Sequence, residues 1–398
     1  MKILFITSST TTHGGGSKSF LQMLRGLLSY GIEPLVVVPN DKGLYHVLQQ
    51  EGISCMSLRH PYRMSVYPST STWRDKTLFI PKLIYSLLIN NLATIQLIKI
   101  AKRFRPDIIH TNVSVTAIGY YVARKLKIPH IWHVREYADL DFNFHYYPCK
   151  RIQQKRYKRP NSYTICITKN IQAHHQLHDW DNSTVIYNGI FSQKELFYHK
   201  NKKPYFLFAG RIEKAKGILP LIDAYATYCK QTQSPLPLHI AGSGMPAYEK
   251  LVKEKINEYG IADNVVFLGM RDDILSLYRE ARAIVVPSIS EGFGRITAEA
   301  MFSGCLVIGN NTAGTKEQFD IGKQLNGDEI AYRYDTNEQL VQHLLDVTHT
   351  SFDLLEPMVL RGQKTASLLY STEQHVKYVH EFYKVVASHS KYKTKSGL

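Results

Sequence analysis

Two glutamates, Glu291 and Glu299, stand in the segment Val286-Pro-Ser-Ile-Ser-Glu-Gly-Phe-Gly-Arg-Ile-Thr-Ala-Glu-Ala-Met301. The first falls in a glycine-flanked loop behind an apolar run, the second one to two turns inside the following helical stretch. Backbone amides of Gly292, Phe293 and Gly294 and the positive end of that helix suit an anion, while two carboxylates accept hydrogen bonds from hydroxyl groups. This one segment therefore offers anion and polyol recognition together. A second segment, Phe208-Ala-Gly-Arg-Ile-Glu-Lys-Ala-Lys-Gly217, places Arg211 and Lys216 just beyond another apolar run. A guanidinium fork and an ammonium point charge in that position suit a diphosphate. A third, Thr12-His-Gly-Gly-Gly-Ser-Lys18, brings Gly15 and Gly16 to the start of a helical stretch. A glycine run there reads equally as a plain tight turn or as a loop against which a phosphate lies.

The elements that must hold these residues alternate short apolar runs with longer helical stretches. Lys2–Thr7, Pro34–Val38, Asp107–His110, His130–His133 and Tyr163–Ile167 read as strands. After Asn188-Gly189 a second series follows: Tyr205–Ala209, Leu238–Ala241, Val265–Leu268, Ala283–Val286 and Leu306–Ile308. Continuous apolar strands separated by crossover helices predict parallel sheets covered on both faces. Two series predict an α/β protein of two Rossmann-like domains, residues 1–188 and 189–371, with a cleft between them. A helix over about 372–388 is expected to pack back on the first domain, ahead of a solvated basic tail at 389–398.

The chain of 398 residues is 44% hydrophobic and 21% charged, which excludes disordered and collagen-like classes. Five scattered cysteines without a CxxC spacing exclude a disulfide scaffold and a cysteine-held metal. Lys and Arg exceed Asp and Glu by 16, and 24 of the 49 cations face only 10 acids within residues 1–190. The first half therefore meets an anionic partner. Six of the ten residues Lys150–Arg159 are basic; the run reads as a solvated helix face or as a dock for anionic lipid. No zinc-finger, helix-turn-helix or RNP pattern accompanies the charge, so nucleic acid is not expected. Met1–Ser8 is too short and too strand-like for a secretory leader. Leu78–Ala101, interrupted by Lys82, Asn90, Asn91, Gln96 and Lys99, fails as a membrane span; with Lys82, Ser86, Asn90 and Thr94 drawing one polar stripe it is read as a packed helix of the first domain, with membrane contact as the alternative.

With "PSISEGFGRITAEAM", "FAGRIEKAKG", "HIAGSG", "VVFLGM" and "VIYNGI", the chain resembles the retaining family 4 glycosyltransferases of the GT-B fold. The resemblance implies roles residue by residue. Arg211 and Lys216 match the cations on the donor diphosphate, Glu299 the carboxylate on the nucleotide ribose, and Glu291 the carboxylate on the donor sugar, with Phe293 and Gly294 supplying amides. Gly269, Met270 and Arg271 match the nucleobase-lining segment, Gly15 and Gly16 the glycine loop facing the phosphates, and His133 the acceptor-side histidine. His110 is a weaker match with a structural alternative. Two departures stand out. Gly304-Cys-Leu306 lacks the proline usual after this helix, and Ser17-Lys18 replaces the usual small residue and acid.

The implied reaction moves a sugar from a nucleotide-diphosphate donor, a UDP-sugar first among them, to a hydroxyl of a lipid-linked or oligosaccharide acceptor with retention of configuration. Bacterial surface polysaccharide assembly at the cytoplasmic membrane face is the expected context. Cations and amides stabilise the departing diphosphate, so no metal or other cofactor is expected. Asp139-Leu-Asp141 has the form of a metal-binding pair and His174, His175 and His178 that of a histidine cluster, but neither has the partners a metal site needs. A nucleotide-sugar epimerase of the same fold and a non-catalytic basic binding protein are the rival readings.

Overall fold

The computed structural model describes residues 1–12, 14–68 and 73–395. His13 lies outside the described residues, as do the last three residues of the expected tail. The chain forms two compact units, Met1–Gly189 joined by the C-terminal segment from Thr372, and Ile190–Ser371.

In the first unit seven parallel strands lie in the order Cys55–Ser57, Glu33–Val38, Lys2–Ile6, Ile108–Thr111, His130–Val134, Ser162–Cys166 and Ser183–Val185. Side chains alternate across the sheet with a period of two. Ile3 and Phe5 meet Phe20, Met23, Leu24 and Leu27 of helix Gly15–Leu28 on one face. Leu4 and Ile6 meet Leu97, Ala101, Ile118 and Val122 on the other. Burial on both faces is why these strands read as unbroken apolar runs. Helix Thr372–Lys395 returns to the first face through Val376, Val379, Tyr383 and Val386. Gly26 permits that approach, because a Cβ there would sit 2.4 Å from Val376. The helix runs to Lys395, so the segment expected to be a free tail from 389 is helical over most of its length.

The second unit has six parallel strands in the order Val265–Gly269, Leu238–Ala241, Lys203–Ala209, Ala281–Val286, Leu306–Asn310 and Tyr332–Tyr334. In each sheet the earliest strand lies in the middle, and the chain builds outward first on one side and then on the other. The order thus reverses between Lys2–Ile6 and Ile108–Thr111, and again between Lys203–Ala209 and Ala281–Val286. Crossover helices leave such a pair of strands in opposite directions, so their carboxyl ends are left open. The strands not foreseen, Cys55–Ser57, Ser183–Val185, Tyr332–Tyr334 and the antiparallel pair Val66–Pro68 with Phe144–Tyr146, have three residues each, too few to show a period.

Helix Trp73–Phe104, 32 residues long with Pro81 inside it, departs from expectation. Over Thr77–Phe104 it is long and apolar enough to cross a membrane by length and composition, yet 6% of its most apolar window is buried. The reading as a packed helix holds only along one row. Of residues 77–104, Ala93, Leu97 and Ala101 are buried, spaced four apart on a single stripe, while Ile80, Ile84, Leu88, Leu92 and Ile95 are exposed. Leu97→Ala is therefore expected to lower the unfolding free energy by about 2–4 kcal/mol, whereas Leu88→Ala changes it by no more than about 0.5 kcal/mol, in denaturant titrations of the two variants.

Candidate active site

In the second unit every candidate side chain follows the carboxyl end of a strand. Beyond Ala209 the chain passes Gly210 and Arg211 into the turn Lys214–Lys216, then through Gly217 into helix Ile218–Gln231. Gly217 has φ +69°, and a Cβ there would stand 2.0 Å from the carbonyl oxygen of Pro287. Glycine alone lets this turn lie against the loop that follows Ala281–Val286. The Ile289 amide donates to the Ala215 carbonyl at 3.1 Å, stitching turn to loop. The result is a contact between residues 75 positions apart: Lys216 Nζ donates to Glu291 Oε1 at 2.5 Å, with both side chains more than four-fifths buried (17% and 15% exposed).

The loop carrying Glu291 is clamped from behind. The Gly314 amide donates to the Glu291 carbonyl at 2.9 Å. Gln318 Nε2 donates to the carbonyl of Phe293 and, at 3.1 Å, to that of Gly294. The Phe293 ring is buried edge-on against Tyr370, 5.3 Å between centroids. Gly294 takes φ +79° and caps helix Arg295–Phe302. The loop amides and Glu291 are thus held on a rigid base before any ligand arrives.

Glu299, in the second turn of that helix, faces inward. Its Oε1 accepts from Arg295 Nε at 2.6 Å and its Oε2 from the Tyr278 hydroxyl at 3.1 Å. A carboxylate offers about four acceptor positions, so two remain for ligand hydroxyls. Burial, reinforced by the Glu299 charge, holds the Tyr278 phenol well above its ordinary pKa; it therefore stays protonated and donates. Arg295 and Tyr278 are the site residues that sequence reasoning missed. The i,i+4 spacing of Arg295 and Glu299 was the signal available for the first; for Tyr278 there was none, because its contact crosses between elements.

The remaining expected residues stand apart from this cluster. Arg211 is largely exposed and pairs with Glu213 at 3.0 Å rather than with the Lys216–Glu291 pair. Gly269 ends its strand at φ +65°, Met270 is exposed, and Arg271 pairs with Asp273 at 2.6 Å. All lie at the carboxyl edge of the same sheet, the open edge of the strand-order reversal.

In the first unit Gly15 and Gly16 open helix Gly15–Leu28, which has no side-chain cap and no acid in its first turn. A Cβ on Gly16 would meet nothing within 4 Å, so packing does not require a glycine there. His133 is fully buried in strand His130–Val134. Its Nδ1 lies 3.3 Å from His110 Nε2 and 3.2 Å from Arg135 Nη2, and its Nε2 has no hydrogen-bond partner among the described residues. His110 Nδ1 meets the Tyr383 hydroxyl at 2.6 Å, and Arg135 Nη1 donates to Asn188 at 2.6 Å. His110 is thereby tied to the returning helix. Burial first, and the Arg135 charge second, hold both imidazoles well below their usual pKa.

Among the described residues no group of three or more His, Cys, Asp or Glu is placed to hold a metal ion. Asp139 is bound to Lys150 at 2.9 Å and to His174 at 2.7 Å, and Asp141 accepts the Tyr137 amide at 2.9 Å. The basic run forms helix Lys150–Tyr157 with Gln153 and Tyr157 buried. Lys150 is held by Asp139, and Arg156 gives three of its five guanidinium N–H groups to Tyr121, Tyr147 and Gln153, while Arg151, Lys155, Lys158 and Arg159 face solvent.

Two family models match: "Glycosyltransferase Family 4" over residues 13–193 and "Glycosyl transferases group 1" over residues 192–358. The chain is 29% identical over 219 residues to the uncharacterized glycosyltransferase MJ1178 of Methanocaldococcus jannaschii, covering 53% of this chain and 58% of that protein. It is 30% identical over 116 residues to the serotype-specific mannosyltransferase WbdA of Escherichia coli, covering 28% of this chain and 14% of WbdA. The chain thus spans little more than half of the first of these relatives and far less of the second. Among solved structures it resembles Anabaena Alr3699/HepE in complex with UDP, with a TM-score of 0.75 and 19% identity over 96% of this chain and 99% of that one. The same protein in complex with UDP-glucose superposes with a TM-score of 0.70 at 19% identity over the whole of both chains. That likeness fixes the fold as GT-B, two Rossmann-like domains.

Four histidines of the first unit share one pH behaviour. Burial lowers the pKa of His130 to about 3 and of His175 to about 4, and that of His110 and His133 well below 6.5. The unfolded chain therefore binds protons below about pH 6.5 that the folded unit refuses, costing up to about 1.4 kcal/mol per pH unit per ring. Glu136, pushed up to about 7 by burial against its bonds from Ser114, acts oppositely: the folded form holds its proton between about 4.5 and 7. Four rings outweigh one carboxyl. Thermal melts should show stability lost as pH falls from 7 to 5, and His130→Gln should flatten that slope.

Proposed function

Since the chain belongs to the family 4 glycosyltransferases, we propose that it moves a sugar from a nucleotide-diphosphate donor to a hydroxyl acceptor with retention of configuration. The observation that carries this reading is the Lys216–Glu291 contact, set at the strand-order reversal beside a clamped amide loop. Breaking a glycosyl–diphosphate bond puts negative charge on the leaving oxygen. A lysine held within a shielded site meets that charge without having to be drawn from solvent. Glu291 beside an incoming diphosphate would repel it unless a cation stood between them, and Lys216 is that cation. The carboxylate is then free to accept from a sugar hydroxyl and to hold the donor's orientation, with the amides of Gly292, Phe293 and Gly294 on the phosphate side. Glu299, aimed by Arg295 and Tyr278, takes the ribose hydroxyls.

Arg211, solvent-exposed and loosely paired, swings to the second phosphate in this reading. Gly269, Met270 and Arg271 line the base, and Gly15 and Gly16 offer amides at the start of their helix. His133 enters as a neutral ring whose unpartnered Nε2 is its available atom. The new bond forms on the face the diphosphate leaves, with the leaving phosphate taking the acceptor proton; no protein carboxylate becomes glycosylated, and no metal takes part.

A UDP-sugar is the proposed donor, supported by the UDP and UDP-glucose bound to the similarly folded HepE. The acceptor is a lipid-linked or oligosaccharide hydroxyl in bacterial surface polysaccharide assembly, supported by the partial likeness to WbdA. The enzyme works in the cytoplasm at the inner face of the plasma membrane, where exposed cations of Lys150–Arg159 add attraction to anionic lipid.

Calorimetric titration with UDP, GDP and ADP, without divalent metal, tests the donor site. UDP is expected to bind, and Glu299→Ala to weaken it by about 1.5–3 kcal/mol, the worth of hydrogen bonds to a charged group. Acceptor-dependent release of UDP from a UDP-sugar should fall about 10²–10³-fold in Lys216→Ala while the fold is kept. A fully active Lys216→Ala enzyme would remove the leaving-group role, and isomerisation of the donor without acceptor would replace transfer by epimerisation.

A further inference from the structure

Helix Trp73–Phe104 is built inside out. Its polar stripe, Lys82, Ser86, Asn90 and Thr94, spaced four apart, turns toward the body of the first unit and lines a cavity of about 570 Å³. Its apolar stripe turns away: Ile80, Ile84, Leu88 and Ile95 are 63%, 52%, 60% and 55% exposed. A helix packed for water alone buries the apolar stripe and exposes the polar one. This arrangement lowers free energy only if the outer face meets an apolar medium.

The cavity behind the helix is charged in one sense. Arg63, Lys82 and Arg156 line it, and among the described residues no carboxylate does. The Arg63 guanidinium lies over the Tyr85 ring at 4.9 Å, and Arg156 over Tyr121 at 5.5 Å. Neither guanidinium takes part in an ion pair among the described residues. Cations gathered beside aromatic rings and leucine walls attract an anion more strongly than the same charges in open water. Leu87 both lines the cavity and is exposed on the outer face, so the charged recess and the apolar surface are continuous.

We infer that the outer face of this helix docks in the interfacial layer of an anionic bilayer and that the cavity behind it receives the phosphate of a lipid headgroup. One occupant then satisfies both surfaces, its anion on Arg63 and Arg156 and its chains along Ile84, Leu87 and Leu88. The helix lies along the interface rather than crossing it, because Ala93, Leu97 and Ala101 fix one side of its later turns to the unit's core beside Ile118 and Val122. The Asn90 side chain adds to this anchorage by pairing with the backbone of Arg63, accepting at 2.8 Å and donating at 3.2 Å. The inference rests on the proposed location at the membrane face and deepens it by naming the surface and the lipid group, while it does not depend on the transfer chemistry.

Vesicle flotation of the full chain tests it, with phosphatidylglycerol in phosphatidylcholine against phosphatidylcholine alone. The wild type should float with the anionic vesicles. Ile84→Asp/Leu88→Asp, at exposed positions, should cut the bound fraction on the order of tenfold or more. Arg63→Gln should reduce the preference for anionic vesicles severalfold, about the worth of one surface cation; Arg63→Gln/Arg156→Gln should reduce it further. Millimolar inorganic phosphate should not release the protein. UDP titration of each variant should match the wild type, which keeps a failure here separate from a failure of the donor site. The inference is overturned if the wild type does not float, or if the aspartate pair floats equally well. Release by phosphate alone would make the recess a site for a soluble anion, and vesicle-independent dimerisation abolished by the aspartate pair would make the face a contact between two copies; either result replaces the lipid.

Discussion

The contact between Lys216 and Glu291 is the constraint around which the second unit is arranged. Two opposite charges brought close and largely shielded from water are strongly coupled, and removing either leaves the other unpaired at a cost of several kcal/mol. Neither residue reaches the other by local structure, since 75 positions separate them. The turn at Gly217 must touch Pro287, the loop must be tied to Ala215, and Gly314 and Gln318 must hold the loop from behind. Gly217 and Gly314 leave no room for a Cβ, the Ile289–Ala215 bond joins backbone groups, and Gln318 acts through its side-chain amide. The rigidity that keeps this cation and this carboxylate together is thus distributed over four segments.

The first unit shows a different economy of polar groups. His110, His133 and Arg135 lie in its interior, joined to Tyr383 of the returning helix and to Asn188 at the end of the unit. Buried polar groups cost free energy unless they find partners. Here the partners come from the strands Ile108–Thr111 and His130–Val134, the last residues of the unit and the C-terminal helix, so the network fastens the chain's return to its first domain. The same unit exposes apolar side chains along helix Trp73–Phe104 while turning polar ones inward.

Motif spacing and apolar runs were sufficient for the two parallel sheets, the break near residue 189 and the segments that carry Arg211, Lys216, Glu291 and Glu299. The physical reason is that a buried parallel strand must be apolar on both faces, and a strand-to-helix turn that meets an anion needs glycine. Both requirements are local and leave a mark in the order of residues. The three-residue strands left no such mark. Tertiary structure alone decided that Lys216 meets Glu291, that Tyr278 and Arg295 hold Glu299, that His133 is a buried neutral ring, and that the stripe of Lys82, Ser86, Asn90 and Thr94 faces inward. Helical periodicity distinguishes two faces of a helix but cannot say which one is turned toward the protein, because that depends on what lies beside it in space.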